Sequence, residues 1–243
     1  MLGLIFGLVA ALGFGLARML SACGGLGRTQ GPRFVAFYGC MYYAMMRPSE
    51  VAALTRDGCH PPRKGWGHLT FADSSTAAGR AFTDDGEVHE HRGLKGRTRG
   101  RASDNQQARK PVRKVPIPPE SVTLLREHIG RFHVGPNGRL FRSEQGNVIQ
   151  PSTWWQVWQK VRARALTEQQ RATPLLRRRY DLRHSGVTWW LNSGVPATEV
   201  AGWAGHSVEV LMRVYAKCMT GLEDVWISRM DEALHLEDLQ QPE

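Results

Sequence analysis

The sequence predicts a mostly helical α+β domain with a small three-stranded antiparallel sheet at one edge. Apolar residues recur at spacings of three and four over Val35, Tyr38, Tyr42 and Met45, and again over Val122, Leu125, Ile129 and Phe132, as on one face of a helix. Between these blocks the pattern changes. Over residues 57–118, Gly, Pro, Ser and Thr punctuate short apolar or alternating runs such as 68–71 and 113–117, which reads as strands and turns. Beyond Pro119 the helical period returns and holds almost to the end. A chain of 243 residues, 42% of them hydrophobic, can bury one good-sized core.

Each element has its own signal. Residues 2–16 are apolar and uncharged, but the run ends before Arg18 and has no basic region ahead of it. It is short of the roughly twenty residues that cross a bilayer and unlike a secretory signal, so no membrane partner is expected. The segment has three readings: a buried helix, a mis-assigned or truncated start and, as the least favoured, a membrane segment that tethers the chain. Pro32 suits a first helical position. That helix should break at Arg47, because the residue before a proline avoids the α region. Ser49 is the expected cap of a second, short helix over 50–54.

Residues 92–114 are crowded with Arg and Lys, including Arg92, Arg97, Arg99 and Arg101, and read as a long hairpin loop facing a polyanion. After the helix that follows Pro119, residues 135–146 form a loop. Trp154, Trp155, Trp158, Val161 and Ala165 mark a helix begun near Pro151. A basic connector through Arg178 and Arg179 leads to helices near 182–193, 196–204 and 207–217, with Pro196 and Ser207 at the starts of the last two. An amphipathic helix over 222–236 precedes a polar tail, 237–243. No internal repeat is present.

Charge narrows the function. Lys and Arg number 32 against 22 Asp and Glu, for a formal charge of +10. A polyanion is the natural partner, nucleic acid first and an anionic membrane surface second. The cysteines, Cys23, Cys40, Cys59 and Cys218, are far apart and form no CxxC pair. They suggest a reduced, cytoplasmic chain without a zinc site. Neither a His-Glu-x-x-His motif nor a phosphate-cradling Gly-x4-Gly-Lys loop is present, and no metal or cofactor is expected.

The last third carries the chemistry. Arg183, His206 and Tyr215 sit in one helical block, and Arg47 sits at a helix-breaking turn. Arginines grip phosphate oxygens with a planar fork and stay charged. An imidazole can orient or polarise the phosphate, and a phenol can attack it to give a covalent phosphotyrosyl bond. Spacing alone leaves two blander alternatives open: Tyr215 in line with Val208, Leu211 and Met212 as a core aromatic, and His206 as a cap.

Residues 46–54 (Met, Arg, Pro, Ser, Glu, Val, Ala, Ala, Leu) resemble the first arginine motif of tyrosine recombinases, the phage-type integrases, in an actinobacterial flavour. Tyr180, Asp181, Leu182, Arg183, His184 and Ser185 resemble the second. Residues 202–207 resemble the Gly-His motif, with Ala204 in a leucine's place, and Val214–Tyr215 is similar to the nucleophile. The gaps fit as well, 23 positions from Arg183 to His206 and nine from His206 to Tyr215. The likeness runs from about residue 16 to about residue 236.

That resemblance implies the tyrosine recombinase catalytic-domain fold over residues 17–236. It implies site-specific cleavage and rejoining of double-stranded DNA, without a metal, through a covalent 3′-phosphotyrosine. It also implies a tetramer on DNA, assembled through the helix over 222–236. The implied catalytic set is Arg47, Lys95, Tyr180, Arg183, His206 and the nucleophile Tyr215. Arg92, Arg97, Arg99, Arg101, Arg178 and Arg179 would hold the DNA backbone. Lys95 would be the general acid on the 5′ leaving oxygen, with Lys64, Lys110 and Lys114 as rivals.

Two departures stand out. Tyr180 occupies the place of a family histidine and cannot act as an imidazole base near neutral pH; His184, next to Arg183, is expected on another helical face. The N-terminal helical domain that closes the family's clamp round DNA is expected to be absent. The alternative is therefore a truncated, inactive integrase remnant that only binds DNA.

Overall fold

The computed structural model describes residues 15–71, 73–77, 89–93, 113–135, 137–216, 219 and 223–238, with 73–77, 89–93, 223–225 and 235–238 as backbone only. In chain order the elements are α1 (15–24), α2 (Gln30–Tyr43), α3 (Pro48–Ala53), β1 (Cys59–His60), β2 (Gly67–Phe71), β3 (Asp73–Ala77), β4 (His89–Gly93) and β5 (Arg113–Ile117). They continue with α4 (Pro119–Phe132), α5 (Pro151–Ala165), α6 (Glu168–Ala172), α7 (Asp181–Asn192), α8 (Ala197–Ala204), α9 (Val208–Tyr215) and α10 (Glu223–Asp238).

Helix α2 is the spine of the core. Its Phe34, Phe37, Tyr38 and Met41 are buried. Phe37 meets Phe141 and Trp154 edge-on, each with ring centroids 5.4 Å apart. The polar ends of these large rings are satisfied: the Tyr38 hydroxyl donates to the Trp154 carbonyl at 2.8 Å, and Trp158 Nε1 donates to the Leu176 carbonyl at 3.1 Å. Truncating a side chain of this kind to alanine costs about 3–5 kcal/mol. Leu16, Met19 and Cys23 of α1 join the same core.

The sheet has strand order β1-β2-β5, antiparallel throughout. Leu69 stands opposite Val115 and Gly67 opposite Ile117, and the alternating buried positions of both strands face the helices. This is the expected three-stranded sheet. A separate two-stranded ribbon pairs β3 with β4, from Asp73 opposite Gly93 to Ala77 opposite His89.

Helix α7 packs on α2 so closely that a Cβ on Gly186 would stand 2.0 Å from the Tyr42 carbonyl oxygen. Glycine is required there because backbone meets backbone. Trp190 Nε1 reinforces the crossing by donating to the Tyr43 carbonyl at 2.9 Å. Beyond it, Met45, Val187, Leu191, Val200, Ala201, Leu211 and Tyr215 form a second buried cluster that holds α8 and α9 against α7.

Several local expectations need correction. Helix α2 begins at Gln30, not Pro32; proline is tolerated within the first turn because those N–H groups lack intrahelical acceptors. Ser49 does not cap α3. Arg47 is the cap and Pro48 the first helical residue. The short α6 has no apolar period; Thr167 and Gln170 start it by exchanging side-chain-to-backbone bonds of 3.2 and 3.0 Å. Pro196 and Ser207 do stand at the starts of α8 and α9, where Ser207 accepts from the Val210 N–H at 3.2 Å.

Candidate functional site

The site is built round one buried carboxylate. Glu50 projects from the first turn of α3 with its side chain fully enclosed. Its Oε2 accepts from the backbone N–H of Arg47 at 2.8 Å, which fixes the helix start. Its Oε1 accepts from Arg47 Nη1 and its Oε2 from Arg113 Nη2, both at 2.8 Å, and Arg183 Nη1 lies 3.9 Å from Oε2. Burial alone would raise the Glu50 carboxyl, but Arg113, Arg183 and Arg47 outweigh it and hold the group below its ordinary range. Three cations around one anion leave an excess of positive charge.

Arg183 comes from α7, and none of it is exposed. Nη1 donates to the Met45 carbonyl, and Nη2 donates to Ala204 and to His206 Nε2, the latter at 2.9 Å. Met45 is a non-glycine residue at φ 52°, and this turn brings its carbonyl to the guanidinium. Burial lowers Arg183 to about 10.

A guanidinium only donates, so His206 Nε2 is the acceptor and the ring proton sits on Nδ1. Burial, then Arg183 and Arg47, lower His206 to about 4, which keeps it neutral at physiological pH. Among the described residues its Nδ1–H is buried without a partner, as are Arg183 Nε and Arg113 Nε and Nη1. Buried donors normally find acceptors. Four donor atoms of this cationic cluster, unpartnered among the described residues, form the candidate cradle for an anion.

Gly205 lets the parts meet. It ends α8 at φ 66°, and the His206 N–H turns back to the Ala201 carbonyl at 2.9 Å. The Gly205 carbonyl accepts from Arg47 Nη2 at 3.2 Å, and a Cβ there would stand 2.1 Å from Arg113 Nη1.

Tyr215 closes the site from α9. Only 3% of it is exposed, and its ring stacks on His206 with centroids 6.4 Å apart. Its hydroxyl meets His184 Nδ1 at 2.5 Å. Tyr180 lies beside His184, with ring centroids at 5.3 Å, and the Arg183 guanidinium stands 5.8 Å from its ring centroid.

No family model and no curated protein matches the chain. Solved structures do. The Tn1549 transposon integrase (residues 82–397), in complex with circular intermediate DNA, superimposes with a TM-score of 0.59 at 15% identity, over 88% of this chain and 64% of that one. The XerH site-specific recombinase, bound to palindromic difH substrate in a post-cleavage complex, gives 0.57 at 15% identity over 87% and 50%. The XerA recombinase gives 0.51 at 15% identity over 94% and 62%. The chain has the tyrosine recombinase catalytic-domain fold. It spans less than two thirds of the length of each of these proteins.

Within this tyrosine recombinase fold, five of the six residues expected in the site, Arg47, Tyr180, Arg183, His206 and Tyr215, are gathered together. The sixth, Lys95, lies outside the described residues, as do Arg97, Arg99, Arg101 and Lys110; Arg92 is placed only as backbone, opposite Ser74. Of the rival lysines, Lys114 follows Arg113 on β5 and so faces away from it, and Lys64 lines a groove beside Val122 and Arg126 of α4. Arg178 is exposed; Arg179 is held over the Trp154 and Trp155 rings at 5.6 and 5.9 Å.

Sequence reasoning missed Glu50, Arg113 and His184. Glu50 stands three residues after a cap position, a spacing that signals a reciprocal cap. Arg113 had no signal beyond its basic neighbourhood. His184 was expected on another face, but it lies one helical turn beyond Tyr180 and shares its side.

Proposed function

We propose that residues 17–236 form the catalytic domain of a site-specific DNA recombinase that cuts and rejoins strands through a covalent 3′-phosphotyrosine at Tyr215. The observation that carries this reading is the cluster of unpartnered buried donors on Arg113, Arg183 and His206, set beside the Tyr215 phenol. A phosphodiester is the anion that needs both the cradle and the nucleophile.

Arg47, whose side chain is 33% exposed, is the guanidinium most open to a phosphate. Arg183 adds charge from below and orients His206, whose Nδ1–H donates to a phosphate oxygen. Tyr180 lends a hydroxyl to the same region, its ring packed beside His184 and under the Arg183 guanidinium. Such preorganised donors act where charge develops in the transition state, and losing one costs about 10²–10³ in rate. Tyr215 Oη attacks phosphorus, and the 5′ oxygen leaves with the bonding pair and a proton from the ammonium of Lys95. The phosphotyrosyl bond keeps the energy of the cut bond, so rejoining needs no nucleotide. The basic residues Arg92, Arg97, Arg99, Arg101, Arg178 and Arg179 are assigned to the DNA backbone.

The active form is a tetramer on double-stranded DNA, with α10 as the link. Trp226, Ile227, Met230 and Leu234 of α10 are 48–61% exposed, an apolar face suited to a neighbouring protomer.

The test uses a pool of nicked duplexes of random sequence, from which the fragment beyond the cut diffuses away and traps the intermediate. Wild type should form a covalent adduct and Tyr215→Phe none. Equal yields from the two would remove Tyr215 as the nucleophile, and salt-dependent binding with no adduct from either would leave DNA binding alone.

A further inference from the structure

We propose that His184 is the proton acceptor for Tyr215, its Nδ1 taking the phenolic proton as Oη attacks phosphorus. This rests on the assignment of Tyr215 as nucleophile and supplies the base that assignment lacks. Tyr180 stands where an imidazole would otherwise be expected and cannot accept a proton near neutral pH. His206 is also unavailable, since its Nε2 is bound to Arg183 and its Nδ1 carries the ring proton. His184 is the imidazole in direct contact with the phenol, with Nδ1 2.5 Å from Oη.

The proposed step sets the tautomer. With the hydroxyl donating, Nδ1 is unprotonated and the ring proton lies on Nε2. The ring packs between Tyr180 and Tyr215 with centroids at 5.3 and 5.7 Å, yet the residue keeps an exposed edge. A proton taken at Nδ1 therefore gives an imidazolium that water can solvate. The charged and titratable groups facing it are Asp181 and Arg183 of α7, Arg178 and Tyr180 before α7, His206 after α8, and Tyr215 of α9. Burial lowers the imidazole below its ordinary range, Asp181 opposes, and Arg183 and Arg178 add to the lowering. The base is thus neutral at pH 7, and Asp181 stabilises the cation formed in the step.

The step balances. The Oη–P bond forms, the P–O5′ bond breaks, and the phenolic proton moves to His184. The bonding pair leaves on the 5′ oxygen, which takes a proton from the ammonium assigned to Lys95 or from water. On rejoining, the 5′ hydroxyl attacks the phosphotyrosine and gives its proton to the amine assigned to Lys95 or to water, the Oη–P bond breaks, and His184 returns its proton to Oη.

The test measures the rate of adduct formation on duplexes recovered with the wild-type adduct, carrying either oxygen or sulfur at the 5′ bridging position of the scissile phosphate. A thiolate leaves without an acid, so the sulfur substrate isolates the attack side. His184→Ala and His184→Gln should each slow adduct formation about 10²–10⁴-fold on both substrates. Free imidazole should restore part of the alanine variant's rate. The wild-type rate should fall on the acid side as the imidazole protonates, and both variants should lose that limb. The proposal is overturned by a wild-type rate in both variants, by a defect that sulfur relieves, or by a defect with no imidazole rescue and an unchanged pH profile. Tyr215→Phe run alongside separates the two assignments. An adduct on Tyr215→Phe removes the nucleophile, whereas an adduct confined to wild type with no His184 effect removes only the base.

Discussion

Glu50 shares two oxygens among three guanidinium groups and one backbone N–H, and no other carboxylate is paired with those cations in the described site. Removing it would strand buried charge, which typically costs about 3–5 kcal/mol. Glu50→Gln should lose stability on that scale in urea unfolding and lose strand cleavage with it. The sign with pH follows from its lowered carboxyl: the stabilisation is fully present above the ordinary carboxylate value of 4.5 and is lost as the pH falls below it.

His206 gives a second residue-scale readout. Its imidazole is lowered to about 4 by burial and by Arg183 and Arg47. A phosphate bound at its Nδ1–H must raise that value, so NMR titration with inorganic phosphate should move the His206 resonances toward a higher apparent pKa; no movement would place the anion elsewhere. At this scale the sequence motifs named the residues that carry local signatures. They could not show Arg113 joining Glu50, because the pair is 63 positions apart and depends on strand register.

Among the elements, α7 matters most, because its contact with α2 sets Arg183 beside the turn at Met45. Gly186→Ala would force a methyl into the Tyr42 backbone. It should cost about 1–3 kcal/mol, as overpacking does, and should also lower cleavage by shifting Arg183. A stable, fully active variant would show that this crossing does not position the site. The helices were legible because a period of three and four survives in a single sequence. The β3–β4 ribbon and α6 were not. The ribbon lies in a polar stretch without clear alternation, and α6 rests on a reciprocal cap rather than an apolar face.

For the whole molecule, the net charge of +10 and the proposed function predict DNA binding in which the logarithm of affinity falls linearly with the logarithm of salt, by roughly 0.9 per phosphate neutralised. Replacing Trp226 and Met230 of α10 with aspartate should leave that binding intact while converting multi-protomer complexes on DNA to single-protomer ones in sedimentation. Unchanged complexes would show that α10 does not link protomers. No helix among the described residues is long and apolar enough to cross a membrane, and Leu16, at the end of the apolar N-terminal run, packs into the core. The most direct measurement is mass spectrometry of the protease-digested covalent adduct. The account predicts one DNA-bearing peptide, with the nucleotide joined through its 3′ phosphate to Tyr215; a nucleotide on another residue, or no adduct at all, would contradict it.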